Sequence, residues 1–262
     1  FITEPQGQGN PVIFDRDGSI IDDLFGVGSS DSILGFANVS AAGVKFRFGF
    51  VVLNGRRANL GTASQFRRVV IHELGHLLGL DHSQGDLGIF SDRNPETLCF
   101  LPVMFPFIVV SGPIGIRFDD RAWLSYMYPA DGFREATGTI RGQILRRSGG
   151  GLSGANVVAM PIEVDGEGQW TEQPAGLVSV VSDFLLEGLG LFELPGLDPG
   201  AYVVFVEPID SSFTEGSGVG PFEMRFDQFP RDYFNGDDES AFPELDDPTE
   251  KTLLLATAGQ PV

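Results

Sequence analysis

Cysteine is nearly missing from this 262-residue chain: Cys99 stands alone, so no intrachain disulfide can form and cysteine usage marks no redox compartment. Long apolar runs are missing too. No stretch of about eighteen uncharged apolar residues occurs, which excludes a membrane-spanning helix. Basic residues are scarce, 17 against 36 acidic ones, and the formal net charge is -19. The scarcity is uneven. Residues 1–132 hold 10 basic and 14 acidic residues, net -4, whereas residues 133–262 hold 7 and 22, net -15. Such a surface repels phosphates, which excludes nucleic acid and anionic membranes as partners and leaves calcium open. The chain starts at Phe1 and not at Met, so a chain that has lost its leader is expected. Histidine is the last scarcity: there are three.

What is present is ordinary globular material. The length allows one large domain or two smaller ones, each with its own core. The 35 glycines call for many turns and short strands. Pro11–Phe14, Ser32–Ala37 and Val44–Leu53 read as strands, with turn chemistry at Asp15–Gly18 and Gly26–Asp31. Thr62–Leu80 is the strongest helix, started by Thr62 or Ser64 and stopped at Gly79. Its apolar stripe is read as Phe66, Val70, Leu74, Leu77 and Leu78. A second helix is expected from Asp119 to about Met127. Composition changes near Gly132. Beyond it, Ile140, Val157–Met160, Val178–Val181, Leu191–Leu194, Tyr202–Val206 and Lys251–Ala256 mark strands, with no helix among them, the pattern of a small β-sandwich.

All three histidines fall in His72-Glu73-Leu74-Gly75-His76-Leu77-Leu78-Gly79-Leu80-Asp81-His82. On a helix, positions i and i+4 share a face, so His72 and His76 can present two imidazoles to one ion. Glu73 sits one step round, placed for a metal-bound water and not for the metal. Gly79 lets the chain turn, and His82 supplies the third ligand with one position left open. An incidental surface helix accounts for a bare H-E-x-x-H but not for the glycine and third histidine together.

This segment, with Ser83 after it, resembles the zinc motif of the metzincin metallopeptidases, matrixin branch. Pro102-Val103-Met104-Phe105-Pro106 is similar to their Met-turn, with Met104 as the methionine. Phe118-Asp119-Asp120-Arg121-Ala122-Trp123 resembles the start of their C-terminal helix, and Ile33-Leu34-Gly35-Phe36-Ala37 the strand that pairs with substrate. The resemblance implies an α+β zincin-type catalytic domain over residues 1–132, a twisted mixed sheet with an active-site helix and a C-terminal helix. It implies one catalytic zinc on His72, His76 and His82, Glu73 as general base, and endopeptidase action on extracellular protein substrates. The substrate pocket falls to Ile33, Leu34, Gly35, Phe105, Pro106 and Phe107, and residues 107–116 form an S1′ wall that takes a hydrophobic residue. Secretion, or display at the cell surface, goes with the family. Phe36 stands near where a histidine of the family's structural zinc belongs, so no such second zinc is expected. Cys99 is expected to pack near the Met-turn instead of inhibiting the zinc.

Residues 133–262 resemble the carboxypeptidase-regulatory-like, transthyretin-like β-sandwich, through Gly138–Ile144, Gly154–Val158 and the strand–turn–strand of Gly190–Val204. That module implies an accessory role without catalysis. Calcium at Asp15, Asp17, Asp22 and Asp23 competes with plain turn chemistry, and the acidic group Asp237, Asp238, Glu239, Glu244, Asp246 and Asp247 with a solvated loop. Two other functions stay open: a catalytically weak or inactive surface adhesion protein built on the same domains, and a peptidase dedicated to one protein. Neither substrate nor oligomeric state is readable.

Overall fold

The computed structural model describes residues 9–42, 45–58, 61–109, 111–183, 187–210, 229–236, 239, 247 and 249–262. The fold is mixed α and β. By contacts the described residues form two compact units: those up to Asp81 with Gly112–Gly115, and His82–Ser111 with Ile116–Val262.

In the first unit, β1 (Val12–Asp15), β2 (Gly35–Ala42) and β3 (Lys45–Asn54) form a sheet in the order β1-β3-β2. β3 is central, parallel to β1 and antiparallel to β2, with a register shift at Ser40/Ala41. Its second half, Val51–Asn54, is buried, as a β-branched run between two neighbours should be. A short helix α1 (Ser19–Phe25), α2 (Gly55–Ala58) and the long α3 (Ala63–Leu77) complete the unit. α1 lies between the two expected turns, in a stretch where short strands and turns but no helix are expected. Asp15 explains it: its carboxylate accepts the backbone N–H of Gly18 and of Ile21, both at 3.1 Å, and so starts the helix. Asn54 donates to the carbonyls of Ser30 and Ile33 and pins the turn that leads into β2.

The second unit opens with α4 (Leu87–Asp92), α5 (Pro95–Leu98), α6 (Phe118–Met127) and α7 (Phe133–Ala136), the first two and α7 too short to leave a periodic signal. β4 (Gly138–Gln143) pairs with β8 (Leu191–Leu197) in a sheet of two. A six-stranded sheet is built on β5 (Ala155–Val164) and β9 (Gly200–Pro208), joined by β6 (Trp170–Glu172), β7 (Val178–Val181), β10 (Asp232–Tyr233) and β11 (Leu254–Ala256). β5 is buried from Ala155 to Met160 because both of its faces are covered. Val158, Met160, Val203 and Phe205 enter one apolar cluster with Ile89, Leu101 and Phe105. Val157, Ala159, Tyr202 and Val204 enter the other, with Ala122 and, partly buried, Phe118 and Trp123. The shift in composition near Gly132 and the division by contacts therefore do not coincide. Residues 82–109 and 116–127 bury apolar side chains against the sheet and belong to it by packing.

Candidate metal centre

The helix that carries His72 and His76 begins with a capping box. Thr62 Oγ1 accepts from Gln65 N at 3.2 Å, and Gln65 Oε1 accepts from Thr62 N at 2.7 Å. The buried face of α3 is Arg68, Val69, His72, Glu73 and Gly75. This corrects the apolar stripe read from spacing: Leu74 is 36 % and Leu78 47 % exposed. The helix turns Arg68, His72 and Glu73 inward. Polar groups are buried only when they have partners or a task.

The helix ends as its glycine requires. Gly79 adopts φ +97°, Gly79 N–H donates to His76 O at 2.9 Å, and Leu80 N–H donates to Gly75 O at 3.0 Å, a Schellman closure. This turn has a chemical result. It places the Leu80 carbonyl 2.8 Å from His76 Nδ1. A carbonyl only accepts, so Nδ1 carries the proton and Nε2 presents its lone pair. That Nε2 lies 3.2 Å from Nε2 of His72. Two ligands of a tetrahedral ion, each at roughly 2.0–2.1 Å, stand about 3.3 Å apart, so the spacing fits a shared metal. Nitrogen atoms of His72, His76 and His82 all lie within 4.8 Å of one another. Burial lowers the His76 pKa, with the Leu80 carbonyl and Asp81 opposing, so this imidazole is neutral as a ligand must be.

Glu73 is 5 % exposed, and its Oε2 is buried without a hydrogen-bond partner. Burial pushes its carboxyl up to about 8 in the metal-free protein; the charge of a bound cation acts the other way. At the start of β2, Gly35 lies against it. A Cβ there would sit 3.0 Å from Glu73 Cγ and Oε1 and from the Val52 carbonyl. Arg68, buried one turn before His72, donates to the Gly112 carbonyl, a role hidden from sequence because arginine is by default a surface residue.

In the second unit, Ser83 N donates to Met104 O at 2.9 Å. Met104 is 2 % exposed, and Asp120 accepts from its N at 3.0 Å and from Val103 N at 2.9 Å. Asp120 thus shapes the methionine turn, a task the sequence showed only as part of a helix start. Its neighbour Asp119 is also buried, and burial followed by the charge of Asp120 raises its carboxyl to about 7.

The remaining expected site residues divide. Ile33, Leu34, Gly35 and Pro106 are half-buried, and Phe107 is exposed and stacks on Phe90. Phe105 is fully buried in the core, packs against Phe90 in the cluster that also holds Phe205, and offers no pocket surface. Phe36 packs edge-on against Phe25 and Phe50. Cys99 is half-buried, and its thiol donates to the Glu96 carbonyl. Among the described residues, the three histidines are the only set of three or more His, Cys, Asp or Glu able to share an ion. Asp15, Asp17, Asp22 and Asp23 therefore form no calcium set of their own: Asp15, Asp17 and Asp22 accept backbone N–H groups of their turns. In the acidic group, Asp237, Asp238, Glu244 and Asp246 lie outside the described residues, and Asp247 holds Thr249. Comparison with protein-family models, with curated proteins and with solved structures yields no match, so function has to be read from the site's own geometry.

Proposed function

We propose that this chain is a zinc-dependent endopeptidase of the matrixin-like metzincin type, acting on extracellular protein substrates. One observation carries the reading: two imidazoles at tetrahedral spacing, one held with its Nε2 lone pair presented, a third nearby, and a buried carboxylate whose Oε2 has no hydrogen-bond partner. His72, His76 and His82 would hold zinc, which would supply a Lewis acid for water and a peptide carbonyl. Glu73 Oε2 takes the proton of the attacking water and delivers it to the leaving amine. A low-dielectric pocket with no competing partner keeps that oxygen available for both transfers. Gly35 leaves room for the carboxylate to swing between them. Met104 acts as the Met-turn methionine, residues 1–132 carry the zincin-type resemblance, and residues 133–262 that of the transthyretin-like β-sandwich. Phe107, exposed after the methionine turn, belongs to the wall that favours a hydrophobic residue after the scissile bond.

The test is metal analysis with cleavage of a proteome-derived peptide library. One zinc per chain and cleavage before apolar residues, lost in Glu73→Ala while zinc stays bound, is the expected result. Zinc uptake without turnover over the whole library would favour the adhesion protein.

A further inference from the structure

Ser179 lies on β7 between Val178 and Val180, 2 % exposed, where an apolar side chain would suit the strand. A buried hydroxyl costs stability unless it is bonded. Its bonds go away from the sheet. Ser179 Oγ lies 2.8 Å from Ser83 Oγ and accepts from Gly85 N at 3.0 Å. A hydroxyl has one proton, so the two serines share a bridge in which one donates and the other accepts. The Ser179 main chain is pinned as well: its N–H donates to Asp119 Oδ1 at 2.6 Å, and its carbonyl accepts from Trp123 Nε1 at 2.9 Å.

The same segment is gripped again further on. Asn156 Nδ2 donates to the Gly85 carbonyl at 2.9 Å and to Glu207 Oε1 at 2.8 Å. Glu207 Oε1 also accepts from Leu87 N at 2.9 Å, and Arg231 joins Glu207 to Asp86 while lying over the Phe205 ring. Ser83, Gly85, Asp86 and Leu87 are thus each tied to β5, β7, β9 or Arg231. The residue before Ser83 is His82.

We propose that Ser179 is a positioning residue of the metal centre: through Ser83 and Gly85 it fixes the main chain that carries the third imidazole, and so sets metal affinity and coordination geometry. This rests on reading the three imidazoles as ligands. The β-rich half is then a working part of the site and not a spacer.

The test measures zinc affinity by chelator competition, and the visible absorption of the cobalt(II)-substituted protein, in the full chain. S179A should bind zinc about tenfold more weakly, the size usual for groups that orient ligands, and should alter the cobalt bands. S179T, which keeps the hydroxyl, should restore both. S83A removes the same bridge from the other side and answers independently if S179A does not fold. The double variant should lose less affinity than the two single losses added together, because the bridge between the hydroxyls is lost only once. V157A, buried in the same sheet without a bond to residues 83–87, should lower Tm and leave affinity unchanged. Wild-type affinity and cobalt bands in S179A, or an equal loss of affinity in V157A at matched Tm, would overturn the proposal. A wild-type chain that takes up neither zinc nor cobalt would remove the ligand reading itself, and this proposal with it.

Discussion

Helix α3 turns Arg68, His72 and Glu73 inward and leaves Leu74 and Leu78 at the surface, whereas β5 and β9 bury Val157, Val158, Val204 and Phe205. The sheet gains stability from what it hides, because apolar area leaves water. The helix hides one carboxylate oxygen, Glu73 Oε2, without a hydrogen-bond partner, and that costs stability. A region that buries polar groups at such a cost is a candidate for chemistry.

The comparison breaks first at Glu73. Glu73→Ala should lower kcat/KM by about 10²–10⁴-fold, the usual share of general base catalysis, while zinc content stays at one per chain. The same change should leave the metal-free Tm unchanged or raise it, since it removes a buried oxygen without a partner. A large drop in Tm would make Glu73 a structural residue and undo the contrast. Phe205→Ala should show the opposite profile, a loss of about 3–5 kcal/mol in urea unfolding, because a fully packed ring leaves a cavity. Gly35→Ala should lower kcat about ten- to a hundredfold without altering zinc content, as a methyl pressed on Glu73 misplaces its carboxylate. Unchanged kcat would show that this approach is incidental.

The smallest effect is the pH dependence of the metal-free protein. The carboxyls of Glu73 and Asp119 titrate higher when folded, at about 8 and about 7, than when unfolded. The folded chain therefore holds more protons between about pH 4 and 8, and this stability, full at acid pH, is lost as pH rises through the folded values. Tm of the metal-free protein should fall across that range, and Glu73→Gln should flatten the upper part. A Tm that rises there would show that other groups outweigh the buried carboxyls.

Much of the site was legible because its chemistry is local. One helical turn relates His72 to His76, and a glycine at position 79 stops the helix in the manner its φ of +97° requires. α6 and the strands at Val157, Val178, Leu191 and Tyr202 also stand where periodicity expects them. The face of α3 was misread for an instructive reason. Spacing ranks faces by apolarity, and here the polar face goes inward. Short elements failed differently. Asp15 starts α1 and Asp86 starts α4 with side-chain bonds to backbone N–H groups, a signal too brief to be periodic.

By itself, then, the sequence determined the three candidate ligands, the glycine turn between the second and the third, and the alternation of the strands, since each depends on neighbours within a few residues. Only the tertiary structure decided that Gly35 lies against Glu73, that Phe105 is core, and that Ser179, 96 residues beyond Ser83, is the residue its hydroxyl meets. Hydrogen bonds of that span depend on where the folded chain brings two side chains together, and no local pattern encodes that distance.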